Sequence, residues 1–235
     1  MKAEERLSMH YEFKYGHASL AAPARRTSAP RDRSEACASL ASGGSTLLDV
    51  GAGTGSVALA LRPYYERVIV TELLPAVAEP LRGLGFDVHV GPIESGLPLA
   101  EESVDTLILN AVIEHLIDPI GVLTELRALL KPGGEMIITT PNIASWRRRV
   151  KLICGRFPST ASRNEGLTTY EGTTTDLYDE GHLHYFSFRS LEAVLARCDL
   201  VAERRCGYPG RLARAWPTLW SFDACVVARR PRRSA

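Results

Sequence analysis

The sequence predicts an α/β fold in which a doubly wound, parallel sheet carries helices on both faces. Short apolar runs alternate with helical stretches between residues 46 and 142, and this alternation implies parallel strands joined by right-handed crossovers. A glycine-rich turn follows the first apolar run. Ligands of such sheets bind beyond the carboxyl ends of the strands, so the residues that follow the strands are the candidate site residues.

The first strand, turn and helix are predicted within residues 46–62. The apolar run TLLDV breaks into GAGTG at residues 51–55 and resumes as SVALALR, a pattern typical of a buried strand, a tight turn and a helix. Glycine permits both the turn and the close approach of a ligand, and the helix points free N–H groups at that ligand. The alternative is a turn that only packs the helix against the strand.

Two acids discriminate between the ligands that such a turn can bind. A dinucleotide-binding turn has the spacing G-x-G-x-x-G, whereas here it is G-x-G-x-G, with Ser56 at the third dinucleotide position. Asp49 precedes the turn, where a carboxylate would oppose a pyrophosphate but suit a ligand that carries an ammonium and a sulfonium. Glu72 ends the next apolar run, where an acceptor for ribose hydroxyls is expected.

The other elements are predicted in order along the chain. Helices are expected at residues 34–41, 73–83, 118–130, 145–151 and 189–197, and strands at 87–90, 104–110, 135–140, 200–206 and 223–228. Asp118 followed by Pro119 is a typical helix start, an N-cap before proline at N1. The sequence KPGG at residues 131–134 is expected to end that helix.

The stretch LLDVGAGTG resembles motif I of the class I S-adenosylmethionine-dependent methyltransferases, with Glu72 at the position of their ribose-binding acid. VIEHLIDP and LKPGGEMIITTPN resemble further blocks of that family, in the branch of ubiquinone-type O-methyltransferases and MetW-like proteins. The resemblance spans about residues 47–142. It implies a Rossmann-like, mostly parallel seven-stranded sheet with an antiparallel last strand, and S-adenosyl-L-methionine as cofactor, with S-adenosyl-L-homocysteine as product.

The resemblance implies an enzyme that methylates a small-molecule metabolite, with O-methylation favoured. N-methylation, C-methylation and methylation of a sugar or lipid-linked intermediate stay open. Two other functional classes are the alternatives, an NAD(P)-dependent oxidoreductase and a MetW-like partner protein without turnover.

The candidate cofactor residues lie on the turn and after the strands. They are Asp49, Gly51, Ala52, Gly53, Gly55, Glu72, Leu73, Ile93, Glu94 and Asn110. The family has an acid just after the glycine of the third strand, which accepts from the adenine amino group, but Pro92 stands there in this chain. We therefore expect Ile93 to lie against the adenine ring and Glu94 to substitute for the missing acid.

The candidate acceptor site involves histidines. His115 lies just past the fourth strand and is the candidate general base, since its unperturbed pKa suits proton abstraction and a base contributes roughly 10²–10⁴-fold to rate. The alternative is that Glu114 and His115 hold the loop by hydrogen bonds. The segment GHLHYFS resembles a family segment beside the substrate pocket. The candidate substrate residues are Asn142, His182, His184 and Tyr185; no metal-ligand spacing is visible, and no metal is expected.

Three segments are assigned by position and composition. Residues 1–44 are expected to form an N-terminal arm or cap, with Tyr15 as a candidate contact, before a cofactor-binding domain at 45–235. Residues 145–187 are expected to form a substrate lid, of which 158–179 should be poorly ordered without substrate. Its basic start, SWRRRVK, is either a solvated face or a contact for an anionic substrate or membrane surface.

Composition and charge argue against several kinds of partner and site. The 235 residues carry a formal net charge of +1, which indicates neither a nucleic-acid partner nor a membrane surface. Five cysteines without C-x-x-C spacing argue against a disulfide framework or zinc site. No signal peptide and no membrane-spanning run is recognised. A cytoplasmic protein with a small-molecule substrate is therefore expected, and its oligomeric state stays open.

Overall fold

The computed structural model describes residues 20–160, 168–170, 173–175 and 181–232. The strands are β1 (Gly44–Val50), β2 (Tyr65–Glu72), β3 (Asp87–Val90), β4 (Val104–Asn110), β5 (Leu130–Pro141), β6 (Thr168–Tyr170), β7 (Thr173–Thr175), β8 (Val201–Cys206) and β9 (Asp223–Arg229). The helices are α1 (Arg33–Leu40), α2 (Ser56–Leu61), α3 (Pro75–Gly83), α4 (Pro119–Leu129), α5 (Trp146–Ile153), α6 (Phe188–Arg197), α7 (Gly210–Ala215) and α8 (Pro217–Trp220).

Seven of the strands form one sheet in the order β3-β2-β1-β4-β5-β9-β8. The neighbours from β3 to β5 pair in parallel, and β9 pairs antiparallel with both β5 and β8. The predicted doubly wound, mostly parallel seven-stranded sheet with an antiparallel last strand is therefore confirmed. The strands β6 and β7 form a separate antiparallel pair.

Apolar side chains of the central strands point alternately to the two faces of the sheet, so a hydrophobic core forms on each face. On β4, Leu107 and Leu109 belong to one buried cluster and Ile108 to the other, because successive side chains of a strand point to opposite faces. The first cluster contains the apolar faces of α4 and α6, and the second those of α1, α2 and α3. The two layers of helices thus cover the faces of the sheet. The carboxyl ends of β1, β2 and β4 form the edge at which a site can lie.

The end of α4 differs from the expectation. The helix begins as predicted, because the Asp118 side chain accepts from the Gly121 amide at 3.0 Å and Pro119 occupies N1. It ends at Leu129, however, and residues 130–134 already belong to β5. The Gly133 amide donates to the Arg230 carbonyl at 2.9 Å and the Arg230 amide to Gly134 at 2.9 Å. The chain beyond β9 therefore supplies the bonds that extend this glycine-containing segment.

Two predicted segments fall wholly or partly beyond the described residues. Tyr15 and the rest of residues 1–19 lie outside them, as do residues 161–167, 171–172 and 176–180 of the expected lid. Among the described helices, the longest of which has 11 residues, none has the length and apolar character to cross a membrane.

Candidate functional site

Backbone hydrogen bonds hold the glycine turn against the end of β2. The Gly51 amide donates to the Thr71 hydroxyl at 3.1 Å, and the Ala52 amide to the Thr71 carbonyl at 3.1 Å. The Gly53 amide donates to Oε1 of Glu72. The predicted turn and the predicted acid are therefore joined directly.

Two glycines of the turn differ in what a side chain at their position would meet. Gly55 has φ +74°, which favours glycine, and a Cβ there would lie 2.6 Å from Cδ2 of Leu81, so that side chain of α3 would have to move. Gly53 has φ +56°, a conformation that side chains rarely adopt, yet a Cβ there would meet nothing within 4 Å. The space beside Gly53 is thus open to a ligand.

Asp49 is a buried acid without a hydrogen-bond partner. It is 1% exposed, and neither Oδ1 nor Oδ2 is bonded to any described group. Burial, and secondly the charge of Glu72, raises its pKa to about 7. A buried carboxylate of this kind is costly unless it is paired, so the site is suited to a cationic group.

Glu72 is also buried, but it is bonded. It is 9% exposed, and its oxygens accept from the amides of Gly53 and, at 3.2 Å, Leu73. Burial raises its pKa in spite of these two amides. Because each carboxylate oxygen has two acceptor positions, Glu72 keeps capacity for ribose hydroxyls.

These features fit S-adenosylmethionine on three counts. Asp49, which bonds to no described group, offers a partner to an ammonium group. Glu72 offers acceptors to a ribose, and Gly53, which bonds to Glu72, leaves open space at the turn. The same buried acid would repel a pyrophosphate. The donor set therefore favours the sulfonium cofactor over a dinucleotide.

The other candidate cofactor residues are distributed around this turn. Leu73 is 36% exposed beside Glu72, Ile93 packs on the core of α4, and the side chain of Glu94 is exposed in the turn Ile93–Ser95. Asn110 ends β4, where its Oδ1 accepts from the Thr139 hydroxyl at 2.8 Å and its Nδ2 donates to Oγ of Ser34 at 3.2 Å. None of these contacts tests their predicted roles.

The hydrogen-bond partner of Asn110 is a residue that the sequence did not indicate as part of the site. Ser34 lies in the first turn of α1, which brings the residues before the domain to the carboxyl edge of the sheet. A helix was predicted at residues 34–41, but no local sequence pattern indicates that it lies over β4. Ala111, the next residue along, has φ +59°, a strained conformation for a residue other than glycine that turns the chain into Ile113–His115.

A second cluster joins two distant parts of the chain. One potential ligand atom from each of Glu114, His115 and His182 lies within 4.8 Å of the others. The rings of His115 and His182 meet edge to face at 4.8 Å between centroids. Backbone bonds fix this arrangement, since the Glu114 carbonyl accepts from the Leu183 amide at 2.8 Å and the His184 amide at 3.2 Å.

Glu114 is the buried member of this cluster. Its side chain is 1% exposed, and among the described residues neither carboxylate oxygen has a hydrogen-bond partner. Burial raises its pKa to about 6, opposed by lesser influences that include His182. The loop-holding bonds considered for Glu114 and His115 are present at the Glu114 main-chain carbonyl and at Nδ1 of His115, which lies 3.2 Å from the Gly181 carbonyl.

The remaining candidate substrate residues differ in their burial and in the hydrogen bonds that their side chains already make. Nε2 of His184 is buried and bonds to no atom of residues 20–160 or 181–232. Tyr185 is 40% exposed, with its ring edge-on to Phe157. Asn142 is fully buried, and its amide group bonds to the carbonyls of Thr218 and Ser221 and to the Ala144 amide. Its side chain therefore joins segments of the fold, and its predicted contact with substrate is untested.

Comparisons with known proteins agree with this geometry. A family model described as a methyltransferase domain matches residues 18–203. Ubiquinone biosynthesis O-methyltransferases from Xanthomonas euvesicatoria and Cereibacter sphaeroides are 29% and 34% identical over 105 residues. Each alignment covers 42% of this chain, and 44% and 42% of the respective relatives. The chain thus matches less than half the length of these curated relatives.

Solved structures show the same fold. An S-adenosylmethionine-dependent methyltransferase from Mesorhizobium loti has a TM-score of 0.59 and 17% identity, over 85% of this chain and 98% of that one. A second, from Methanosarcina mazei, has a TM-score of 0.61 and 17% identity, over 83% and 96%. With the family model covering most of its length, the chain belongs to the class I S-adenosylmethionine-dependent methyltransferase family.

Proposed function

We propose that this protein transfers the methyl group of S-adenosylmethionine to an oxygen atom of a small-molecule metabolite. The observation that carries the proposal is the glycine turn with its two buried acids. Glu72 bonds to the turn, and Asp49 bonds to no group in the described part of the chain. The matched relatives are ubiquinone biosynthesis O-methyltransferases, which supports oxygen as the acceptor atom.

The chain contributes mainly by positioning. When bound, the cofactor supplies a methyl group on a positively charged sulfur, which is open to in-line displacement. Asp49 would bind the ammonium end and Glu72 the ribose, and these two contacts would hold the cofactor in one orientation. Because the protein holds cofactor and acceptor in line, the reaction does not depend on a bimolecular encounter in solution. Such positioning accounts for much of the rate enhancement in reactions of this kind.

A hydroxyl acceptor must also lose its proton. The cluster of Glu114, His115 and His182 lies past the carboxyl end of β4 and is the candidate place for that step. Nδ1 of His115 lies 3.2 Å from the Gly181 carbonyl. A ring that donates from Nδ1 presents Nε2 as a base, and we assign that role to His115. His184 and Tyr185 are proposed to line the acceptor pocket.

Cofactor binding is tested by calorimetry with variants of the turn. Gly53→Val should weaken S-adenosylmethionine binding strongly, because the side chain fills the open space beside the turn. Gly210→Val is the matched control, since Gly210 also has a positive φ (+89°) and open surroundings but lies at the start of α7. Glu72→Ala should also weaken binding. Equal affinity in the Gly53 and Gly210 variants would place the cofactor elsewhere.

Turnover is tested separately, with labelled cofactor and a panel of hydroxylated and carboxylated metabolites. The double variant His184→Ala/Tyr185→Ala should cut methyl transfer while cofactor affinity stays nearly unchanged. Tight NADH binding without S-adenosylmethionine binding would favour the oxidoreductase alternative. Cofactor binding with no methylated product from any acceptor would favour a MetW-like partner protein.

A further inference from the structure

We propose that Cys206 and Cys225 form a dithiol that a hydroperoxide oxidises to a disulfide, and that this oxidation weakens cofactor binding. The two residues lie on the neighbouring antiparallel strands β8 and β9, directly opposite each other in the register. Sequence spacing did not indicate the pair, because α7 and α8 separate its members along the chain. Both thiols are free, so the structure shows the reduced form of the pair.

The strand register sets a separation that a disulfide can close. Residues directly opposite each other on antiparallel strands have Cα atoms about 4.5 or 5.5 Å apart, depending on the hydrogen-bond pattern. Disulfides span Cα separations of about 4.4–6.8 Å. Opposite side chains also point to the same face of the sheet, and a hydrogen bond already joins the side chains of Cys206 and Cys225. The two sulfur atoms therefore need only a small approach to form a bond.

The surroundings of the two thiols assign them different functions. Cys206 is partly exposed, and the hydrogen bond from the Cys225 thiol lowers its pKa against the opposing effect of burial. The guanidinium groups of Arg204 and Arg214 act in the same direction as that bond. Cys225 is fully buried, and its bond to Cys206 together with burial raises its pKa. Thiols that sense oxidants are accessible, lie among positive charges and have a second thiol beside them, so Cys206 is the attacking thiol and Cys225 the resolving one.

The oxidation balances in two steps with hydrogen peroxide as the oxidant. The Cys206 thiolate attacks one peroxide oxygen, the O–O bond breaks, and a sulfenic acid and a hydroxide ion result. The sulfur of Cys225 then attacks the sulfenic sulfur, the S–S bond forms, and the S–O bond breaks as a second hydroxide leaves. The two thiol protons convert the hydroxide ions to water. Two thiols are thus oxidised to one disulfide while one peroxide is reduced to two waters.

The dithiol is adjacent to the helix that contacts the candidate cofactor site. Cys225 shares a buried cluster with Ala36 of α1, and it lies opposite Thr139 of β5 in the sheet. The Thr139 hydroxyl donates to Asn110, and Asn110 donates to Ser34, which is also on α1. Thr139 and α1 therefore connect the dithiol to Asn110, one of the candidate cofactor residues.

Closure of the disulfide should displace these neighbours. Opposite side chains of antiparallel strands have Cβ atoms about 4.5–5.5 Å apart, whereas a disulfide holds them at about 3.8 Å. The end of β8 and the start of β9 must therefore approach each other by about 1 Å, and a close-packed interior transmits such a shift. We expect α1 to move with β9 and the bond between Asn110 and Ser34 to lengthen. The affinity for S-adenosylmethionine should then fall by about 5-fold, the lower end of ordinary coupling between two sites.

The test oxidises the purified full chain with hydrogen peroxide and identifies the products by mass spectrometry of unreduced peptides. Cys154 is an exposed thiol, so all samples carry Cys154→Ser to prevent disulfides between chains. We expect a pair of peptides linked through Cys206 and Cys225. Cys225→Ser should stop the reaction at the sulfenic acid of Cys206, which dimedone traps, and Cys206→Ser should form neither product.

The matched control carries the same chemical change at a thiol outside the pair. Cys198 is buried and lies at the end of α6, so Cys198→Ser should form the disulfide as the Cys154→Ser chain does. Cys206 is less buried than Cys225, which makes its serine variant the safer one for folding, and circular dichroism checks each variant. Absence of a disulfide after peroxide treatment, or a bridge through Cys37 in place of Cys206, would overturn the dithiol.

Calorimetry with S-adenosylmethionine measures the consequence for the cofactor site. The oxidised chain should bind the cofactor about 5-fold more weakly than the reduced chain, and dithiothreitol should restore the affinity. Cys206→Ser should bind it equally before and after peroxide treatment. Equal affinity of the oxidised and reduced chains would overturn the control of the cofactor site by the dithiol. These measurements need no acceptor, so failure of the proposed methyl transfer to oxygen would leave them unaffected.

Discussion

Replacement of Asp49 by asparagine should stabilise the ligand-free protein while it weakens cofactor binding. Asparagine keeps the shape of the side chain but removes the buried charge. The charge is unfavourable before the ligand arrives, since Asp49 is 1% exposed and accepts no hydrogen bond from any residue that the structure describes. The same charge is the proposed partner of the cofactor ammonium group, so one substitution should move the two quantities in opposite directions.

The size of the stability effect follows from the pKa of Asp49. Its value rises from 3.8 to about 7 on folding, and each pH unit of difference corresponds to about 1.4 kcal/mol. The folded chain therefore holds this proton more tightly, and the free energy of unfolding falls as pH rises from about 4 to about 7. Asp49→Asn should raise it by about 4 kcal/mol at pH 8 and by about 2 kcal/mol at pH 5.

Urea denaturation at the two pH values measures this difference directly, and calorimetry measures S-adenosylmethionine affinity in parallel. Affinity should fall about 10-fold or more, the value of a hydrogen bond to a charged group. Asp87→Asn is the control, because that side chain is 41% exposed in a surface pair with Arg67 and should change stability by less than about 1 kcal/mol. No gain in stability at pH 8 would refute a buried, unpaired Asp49.

Three further changes test the packing around the site. Leu123→Ala should lower the free energy of unfolding by about 2–5 kcal/mol, because Leu123 is fully buried between α4 and the sheet; urea denaturation measures it. Tyr65→Phe should cost about 1–3 kcal/mol in the same assay, since its hydroxyl bonds to Thr106 at 2.8 Å and Gly43 at 3.0 Å. Asp118→Ala should cost about 1 kcal/mol through loss of the α4 cap, and a thermal melt would detect it.

The parts of the fold that sequence predicted well have local signals. Strands β3 and β4 were predicted at their observed bounds, because glycine or polar residues bracket each apolar run. The start of β5 was missed because KPGG resembles a helix stop, whereas the chain beyond β9 supplies its hydrogen bonds. That information is tertiary, and no local pattern carries it.

The candidate site likewise contains contacts that a local sequence pattern predicts and contacts that it does not. The joining of the glycine turn to Glu72 was foreseeable, because both follow neighbouring strands of a parallel sheet. The meeting of His115 with His182 was not, because it depends on how the segment after α5 returns to the loop behind β4. The contact of Ser34 with Asn110 likewise depends on where α1 docks.

The bonds that hold residues 183 and 184 to the loop behind β4 come from main-chain atoms on both sides, the Glu114 carbonyl and the two amides. A parallel bridge between Asn142 and Phe186 continues this attachment. Main-chain pairing does not depend on which side chains the residues carry. Relatives could therefore exchange the side chains at positions 182, 184 and 185 for others without loosening the wall of the proposed acceptor pocket. Acceptor preference would then be able to diverge in evolution while the cofactor site stays constant.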